Sequence, residues 1–115
     1  MEFQIEFFKD SRGKSPVEEF LTKLYTSNRK LLVKTRGAIE KLRYKAFHKE
    51  PLSKHLESGL WELRVKSGSN IVRVIYTFAY GRVTILLHGF TKKSQKTPAR
   101  ELEVARKRLR ELKGN

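Results

Sequence analysis

Apolar and polar residues alternate through "EFQIEFF" (2–8), and this predicts a first strand. The pattern then lengthens to helical spacing. In "SPVEEFLTKLY" (15–25), Val17, Phe20, Leu21 and Leu24 recur on one helix face. Ser15 fits the N-cap, Pro16 the first helical position, and Glu18 completes a capping box. A second helix is expected from Asn28 to about Phe47, with Leu31, Leu32, Thr35, Ala38, Ile39, Leu42 and Ala46 as its stripe and Pro51 closing the region. Three strands follow, at about 60–66, 71–78 and 83–90, joined by the hairpin turns "SGSN" (67–70) and "AYGR" (79–82). Thr97 as N-cap and Pro98 as first residue open a last helix, which runs to about Leu112 with Leu102, Ala105, Leu109 and Leu112 on its apolar face. The order is βααβββα. It predicts a single α+β domain over 1–115 with a mostly antiparallel, four-stranded sheet.

Register sharpens this outline. Counting from the "SGSN" turn sets Lys66 opposite Ile71 and Arg64 opposite Arg73. An even-numbered loop at Tyr80-Gly81 would then set Arg73 opposite His88, whereas a three-residue loop would shift that pairing by one. One face of the three strands carries Trp61, Leu63, Val65, Val72, Val74, Tyr76, Phe78, Val83, Ile85 and Leu87, and the helices are expected to cover it. The other carries Glu62, Arg64, Lys66, Ile71, Arg73, Ile75, Thr77, Thr84, Leu86, His88, Phe90 and Lys92, and is expected to be basic and open. Arg64 and Arg73 both point away from the predicted core, so replacing either is expected to leave the fold intact.

Charge gives that open face a meaning. The chain has 26 Lys and Arg against 12 Asp and Glu, a net of +14. Such a surplus points to polyanionic partners: nucleic acid, a ribonucleoprotein or an acidic protein segment. It is concentrated: between residues 54 and 96 eight basic residues face two acids, Glu57 and Glu62. Like charges directly opposite each other destabilise a sheet. Arg64, Arg73 and His88 in one row therefore suggest an anion seated on them, and the planar fork of Arg matches phosphate. Lys92, Lys93 and Lys96 follow at one end of that row, Gly89 permits close approach, and Phe90 offers a ring for stacking a base.

The chemistry this set permits is narrow. There is no cysteine, so a disulfide framework and a Cys-based zinc site are excluded, and a reducing cytosol is the expected compartment. The N-terminal "MEFQIEFFKD" carries acids where a signal peptide is basic, and no apolar run approaches the ~18 residues of a membrane span. His48, His55 and His88 lack metal-motif spacing, and no Gly-rich phosphate loop is present, so no cofactor is expected. One reaction needs neither metal nor protein nucleophile: the 2′-OH of RNA attacks its own phosphate, given cations over the phosphate and a group to take the proton. His88, or a lysine with its pKa lowered by neighbouring cations, could take it.

The pieces "LWELR", "RVIY" and "LLHGFTKKSQKTP", in that order and spacing, resemble the RelE/HigB superfamily of bacterial toxins, most of all its phage-derived HigB-type branch. The resemblance spans nearly the whole chain and includes the βααβββα order. It implies the toxin of a type II toxin–antitoxin system, a ribosome-dependent mRNA endonuclease that leaves a 2′,3′-cyclic phosphate and a 5′-OH. By position, Arg73 matches the strand arginine at the scissile phosphate, Arg64 the arginine one strand over, and Lys92 and Lys93 the basic position after the last strand. The C-terminal catalytic tyrosine of RelE has no counterpart here, which shifts proton transfer to His88 and the lysines. Lys54, Lys66, Phe90 and Lys96 are the remaining candidates for RNA or ribosome contact. The implied partners are the ribosome with its mRNA and a helix-turn-helix antitoxin of HigA type, with operator DNA reached only through the antitoxin complex. A second branch, ParE, shares the fold and inhibits DNA gyrase instead. An inactive relative that keeps only antitoxin or RNA binding is the other alternative.

Overall fold

A computed structural model describes residues 2–92 and 96–114. The elements are β1 (Gln4–Phe7), α1 (Pro16–Ser27), α2 (Arg29–Lys41), a 3₁₀ turn (Lys45–Phe47), β2 (Ser53–Glu57), β3 (Leu60–Ser67), β4 (Asn70–Ala79), β5 (Val83–Lys92) and α3 (Ala99–Leu112). The strands form one sheet in the order β1-β5-β4-β3-β2. β1 runs parallel to β5 and the other pairs are antiparallel. The fold is α+β as expected and compatible with a RelE-like arrangement, but the sheet has five strands and is mixed. The added strand, β2, is short and polar ("SKHLE"), and its register breaks between His55 and Glu57. Neither period nor length marks it. It is tied to the sheet by the buried Tyr76 hydroxyl, which donates to Ser53 Oγ at 2.8 Å.

The first helix starts as its sequence requires, with Ser15 Oγ accepting from the Glu18 N–H at 3.3 Å and Pro16 in the first turn. Asn28 caps α2 by accepting from the Leu31 N–H at 3.1 Å. α2 ends at Lys41, short of the expected Phe47. The chain turns there because the carbonyl of Leu42 is taken by the His48 ring, whose Nε2 donates to it at 2.6 Å. α3 begins one residue later than expected: Pro98 occupies the cap position and Thr97 does not cap.

Both sheet faces are covered, which overturns the expectation of an open second face. α1 and α2 pack Val17, Leu21, Leu31, Ile39 and Leu42 onto Leu63, Val65, Val72, Val74, Tyr76 and Leu86. Trp61 packs at the border of this core. α3 lies on the opposite face, where Ala105, Leu102 and Leu109 meet Leu60, Ile75, Ile85, Leu87 and Phe90. Arg106 pins α3 to the end of β2 with two bonds to Glu57, at 2.7 and 2.9 Å. Among the described residues no helix is long and apolar enough to cross a membrane.

The β3–β4 register is the expected one, with Arg64 opposite Arg73 and Lys66 opposite Ile71. The β4–β5 register is not. The turn holds three residues, pairing Ala79 with Val83, with Gly81 and Arg82 at positive φ. A bulge at Leu87 then adds a second one-residue shift, so Arg73 faces Phe90 and Ile75 faces His88. The two odd steps cancel in parity. His88, Phe90 and Lys92 therefore return to Arg73's face, displaced along it. Between the steps the faces exchange: Leu86 joins the α1–α2 core, and Ile85 and Leu87 join the α3 core.

Candidate functional site

The face that holds the arginines is organised in cross-strand rows, because residues directly opposite in an antiparallel pair share a face. Lys66, Ile71 and Lys92 form one row. Arg64, Arg73 and Phe90 form the next. Lys54, Glu62, Ile75 and His88 form the third. Four cations thus share one end of this face: Lys54 and Lys66 are exposed, Arg64 and Lys92 partly so.

Beneath them lies a buried acid. Glu62 is fully buried, and its Oε1 accepts from Arg64 Nε and from Arg73 Nη1, each at 3.0 Å. Its Oε2 accepts from the Thr97 hydroxyl at 2.5 Å. Thr97 Oγ1 in turn lies 3.5 Å from Arg73 Nη1, at the outer limit of a hydrogen bond. One carboxylate therefore resolves the repulsion between the two facing arginines and fastens the start of α3 to β3. The arginines differ in access: Arg73 is 1% exposed, whereas the Arg64 side chain is 23% exposed. Arg73 is thus part of the fold's interior, and the expectation that it can be replaced without loss is corrected.

His88 is tethered at both ring nitrogens by α3. Nε2 lies 2.7 Å from Glu101 Oε1, and Arg108 Nη1 donates to Nδ1 at 3.0 Å while also bonding the Leu87 carbonyl. A guanidinium only donates, so Nδ1 is the acceptor and the proton sits on Nε2 of a neutral ring. Burial pushes the His88 pKa below its ordinary value. The Glu101 bond pulls it upward and the Arg108 charge lowers it further. The row joining Arg64, Arg73 and His88 is corrected accordingly: His88 lies one row away from Arg73, and Phe90 takes the place opposite it. Phe90 is buried under α3 and stacks on His88, with ring centroids 5.3 Å apart, so its ring is not available to a base. The latitude at Gly89 is used by the fold itself, since a Cβ there would stand 2.6 Å from the Phe20 ring of α1.

Of the remaining candidates, Lys96 is exposed beside Thr97, and Lys93 lies outside the described residues. The structure joins Arg64 and Arg73 through Glu62, sets Lys66 and Lys92 in the adjoining row on one side, and sets Lys54 in the adjoining row on the other. It sets His88 and Phe90 aside under α3. Sequence alone did not reveal the contacts that Thr97, Glu101 and Arg108 make. Glu62 carried a signal, being the one acid among the cations of its face. Among the described residues no three His, Asp or Glu side chains cluster in a way that could hold a metal ion.

Residues 19–110 match the model of a family described as phage derived protein Gp49-like (DUF891). No curated protein matches the sequence. The family match covers most of α1, all of α2 and of β2 to β5, and most of α3, and so every described cation of the site. The chain belongs to the Gp49-like family, a family of RelE/HigB-like toxins.

Proposed function

We propose that the chain is the toxin of a type II toxin–antitoxin system and that it cleaves mRNA on the ribosome. The observation that carries this reading is the gathering of Lys54, Arg64, Lys66 and Lys92 on one sheet end, around the buried Glu62–Arg73 pair. In the proposed reaction the 2′-oxygen of a nucleotide bonds to its own 3′-phosphorus, and the bond to the next 5′-oxygen breaks. The products are a 2′,3′-cyclic phosphate and a 5′-OH. Arg64 is the arginine with access to the surface, and it meets the non-bridging oxygens. Arg73 acts through Glu62 as a positioning residue, since Glu62 holds Arg64 at Nε and leaves its other nitrogens to the ligand. Lys92 neutralises the developing charge, and Lys92 and Lys93 are the candidates for proton transfer that the family resemblance supplies. His88, bonded at both nitrogens, serves first to seat α3. Lys54, Lys66 and Lys96 draw in the RNA backbone.

The partners in this reading are the ribosome and its mRNA. A helix-turn-helix antitoxin of HigA type restrains the toxin in the cytoplasm and carries it to operator DNA. The test is to add the purified chain to ribosome–mRNA complexes and to map new 5′-OH ends. Cuts that disappear with Arg64→Ala, and that naked mRNA does not show, are expected. Intact mRNA together with blocked gyrase supercoiling would overturn the proposal in favour of a ParE-like toxin.

A further inference from the structure

Arg64 and Lys66 face two ways. Besides forming the sheet-end site, both line a cleft of about 640 Å³ between β3 and the segment that links α2 to β2. Ligand pockets commonly span about 300–1,000 Å³. Lys41 from the end of α2 and Lys49 add two more cations, against one acid, Glu50. Phe47, Pro51 and Leu52 supply apolar surface. The Lys41 ammonium stands 5.5 Å from the centre of the Phe47 ring. At the rim, Lys34 Nζ donates to the Lys66 carbonyl at 2.7 Å and brings a further positive charge.

We propose that this cleft is a subsite for single-stranded RNA: Lys41, Lys49 and Lys66 take backbone phosphates and Phe47 stacks a base, next to the nucleotide whose phosphate Arg64 holds. The inference rests on the proposed nuclease reading and extends it to the flanking nucleotides. Cations spaced around one ring fit a chain that presents phosphates and flat bases in turn. An acidic protein segment would use the charges and leave the ring and proline without a matching group. Arg64 joins the two sites, so occupation of the cleft sets the register of the RNA over the reactive phosphate.

The test uses the full chain and a fluorescein-labelled hexaribonucleotide, 2′-O-methylated so that it cannot be cut, followed by anisotropy over a salt series. Lys41→Ala with Lys49→Ala is expected to weaken binding about tenfold at low salt. It should also flatten the slope of log affinity against log salt by about 1.4, at roughly 0.7 per phosphate contact. Phe47→Leu keeps the apolar bulk and loses the ring, and is expected to weaken binding about fivefold or more with little change in slope. A control pair, Lys23→Ala with Lys107→Ala, removes the same charge from exposed positions on α1 and α3 and should change little. Equal loss in the control pair, or no effect of Phe47→Leu, would overturn the subsite. So would a hexaglutamate peptide that displaces the oligonucleotide at lower concentration than unlabelled RNA does. The two readings fail separately. Ribosomal cleavage with cleft variants that bind RNA normally refutes the subsite alone. RNA binding through the cleft with uncut ribosomal mRNA refutes the nuclease and leaves the subsite standing.

Discussion

Arg73→Ala is expected to destabilise the fold, although Arg73 points away from the α1–α2 core. The replacement leaves Glu62 fully buried with Arg64 Nε and Thr97 Oγ1 as its remaining partners among the described contacts. Removing one member of a buried ion pair costs about 3–5 kcal/mol. The surviving Arg64 bond places this case at the low end, about 3 kcal/mol. Unfolding entropy near 2.1 cal/mol/K per residue, over 115 residues, makes each kcal/mol worth about 4 °C in Tm. The expected drop is therefore about 12 °C, and the underlying ~3 kcal/mol is a large part of the ~5–15 kcal/mol total stability of a domain. Arg64→Ala is a contrast on the same carboxylate. Its side chain is partly exposed, Arg73 still holds Glu62, and the cost is expected to stay within ~1 kcal/mol, or about 4 °C. Glu62→Met combined with Arg73→Met removes both charges and should recover most of the loss. Thermal melts followed by circular dichroism measure all four proteins. An Arg73→Ala melt within about 3 °C of the parent, or an Arg64→Ala loss equal to that of Arg73→Ala, would refute the buried-pair account.

His88 gives a pH dependence with a definite sign. Its folded pKa lies below the ordinary value of 6.5, so the unfolded chain binds the proton first. Stability should fall as pH drops below about 6.5, and His88→Phe should remove that component when Tm is measured from pH 8 to pH 5. An unchanged pH profile in the variant would count against the neutral, α3-tethered ring. Gly89→Ala must displace the Phe20 ring and is expected to cost about 1–3 kcal/mol by urea unfolding, with Phe20→Leu partly relieving it. Tyr76→Phe leaves Ser53 Oγ without its donor and should cost about 1–2 kcal/mol, with faster amide exchange in β2. The buried phenol itself is pushed up to about 12, mainly by burial, which is readable by ultraviolet titration.

The sequence resolved the parts of the site that local chemistry determines. A short turn at Gly68-Ser69 and strict alternation on either side place Arg64 opposite Arg73, and the capping residues Ser15 and Asn28 locate the helix starts. The β4–β5 pairing escaped because two opposite-looking errors, an odd turn and a bulge, are invisible one at a time and cancel in parity. "ILL" at 85–87 carried a trace of this, since three consecutive apolar residues do not fit a strand with one wet face. The cover over the second face was legible in the same way. Ile71, Ile75 and Phe90 are too apolar for an open surface, and the α3 stripe of Leu102, Ala105 and Leu109 needed a place to dock. What no local pattern supplies is the contact of Thr97 with Glu62, 35 residues apart, or the grip of Glu101 and Arg108 on His88. Those depend on where α3 lands.

The central claim is that Arg64 and the cations beside it act on mRNA. Primer extension on a defined transcript after induced expression tests it most directly, with Arg64→Ala in parallel, because that variant is expected to stay folded. Discrete cuts within translated sequence, spaced in codon phase, are expected, and they should vanish in Arg64→Ala while protein level holds and melting temperature stays within about 4 °C of the parent. Growth arrest with uncut transcript, or identical cuts in the folded Arg64→Ala protein, would contradict it.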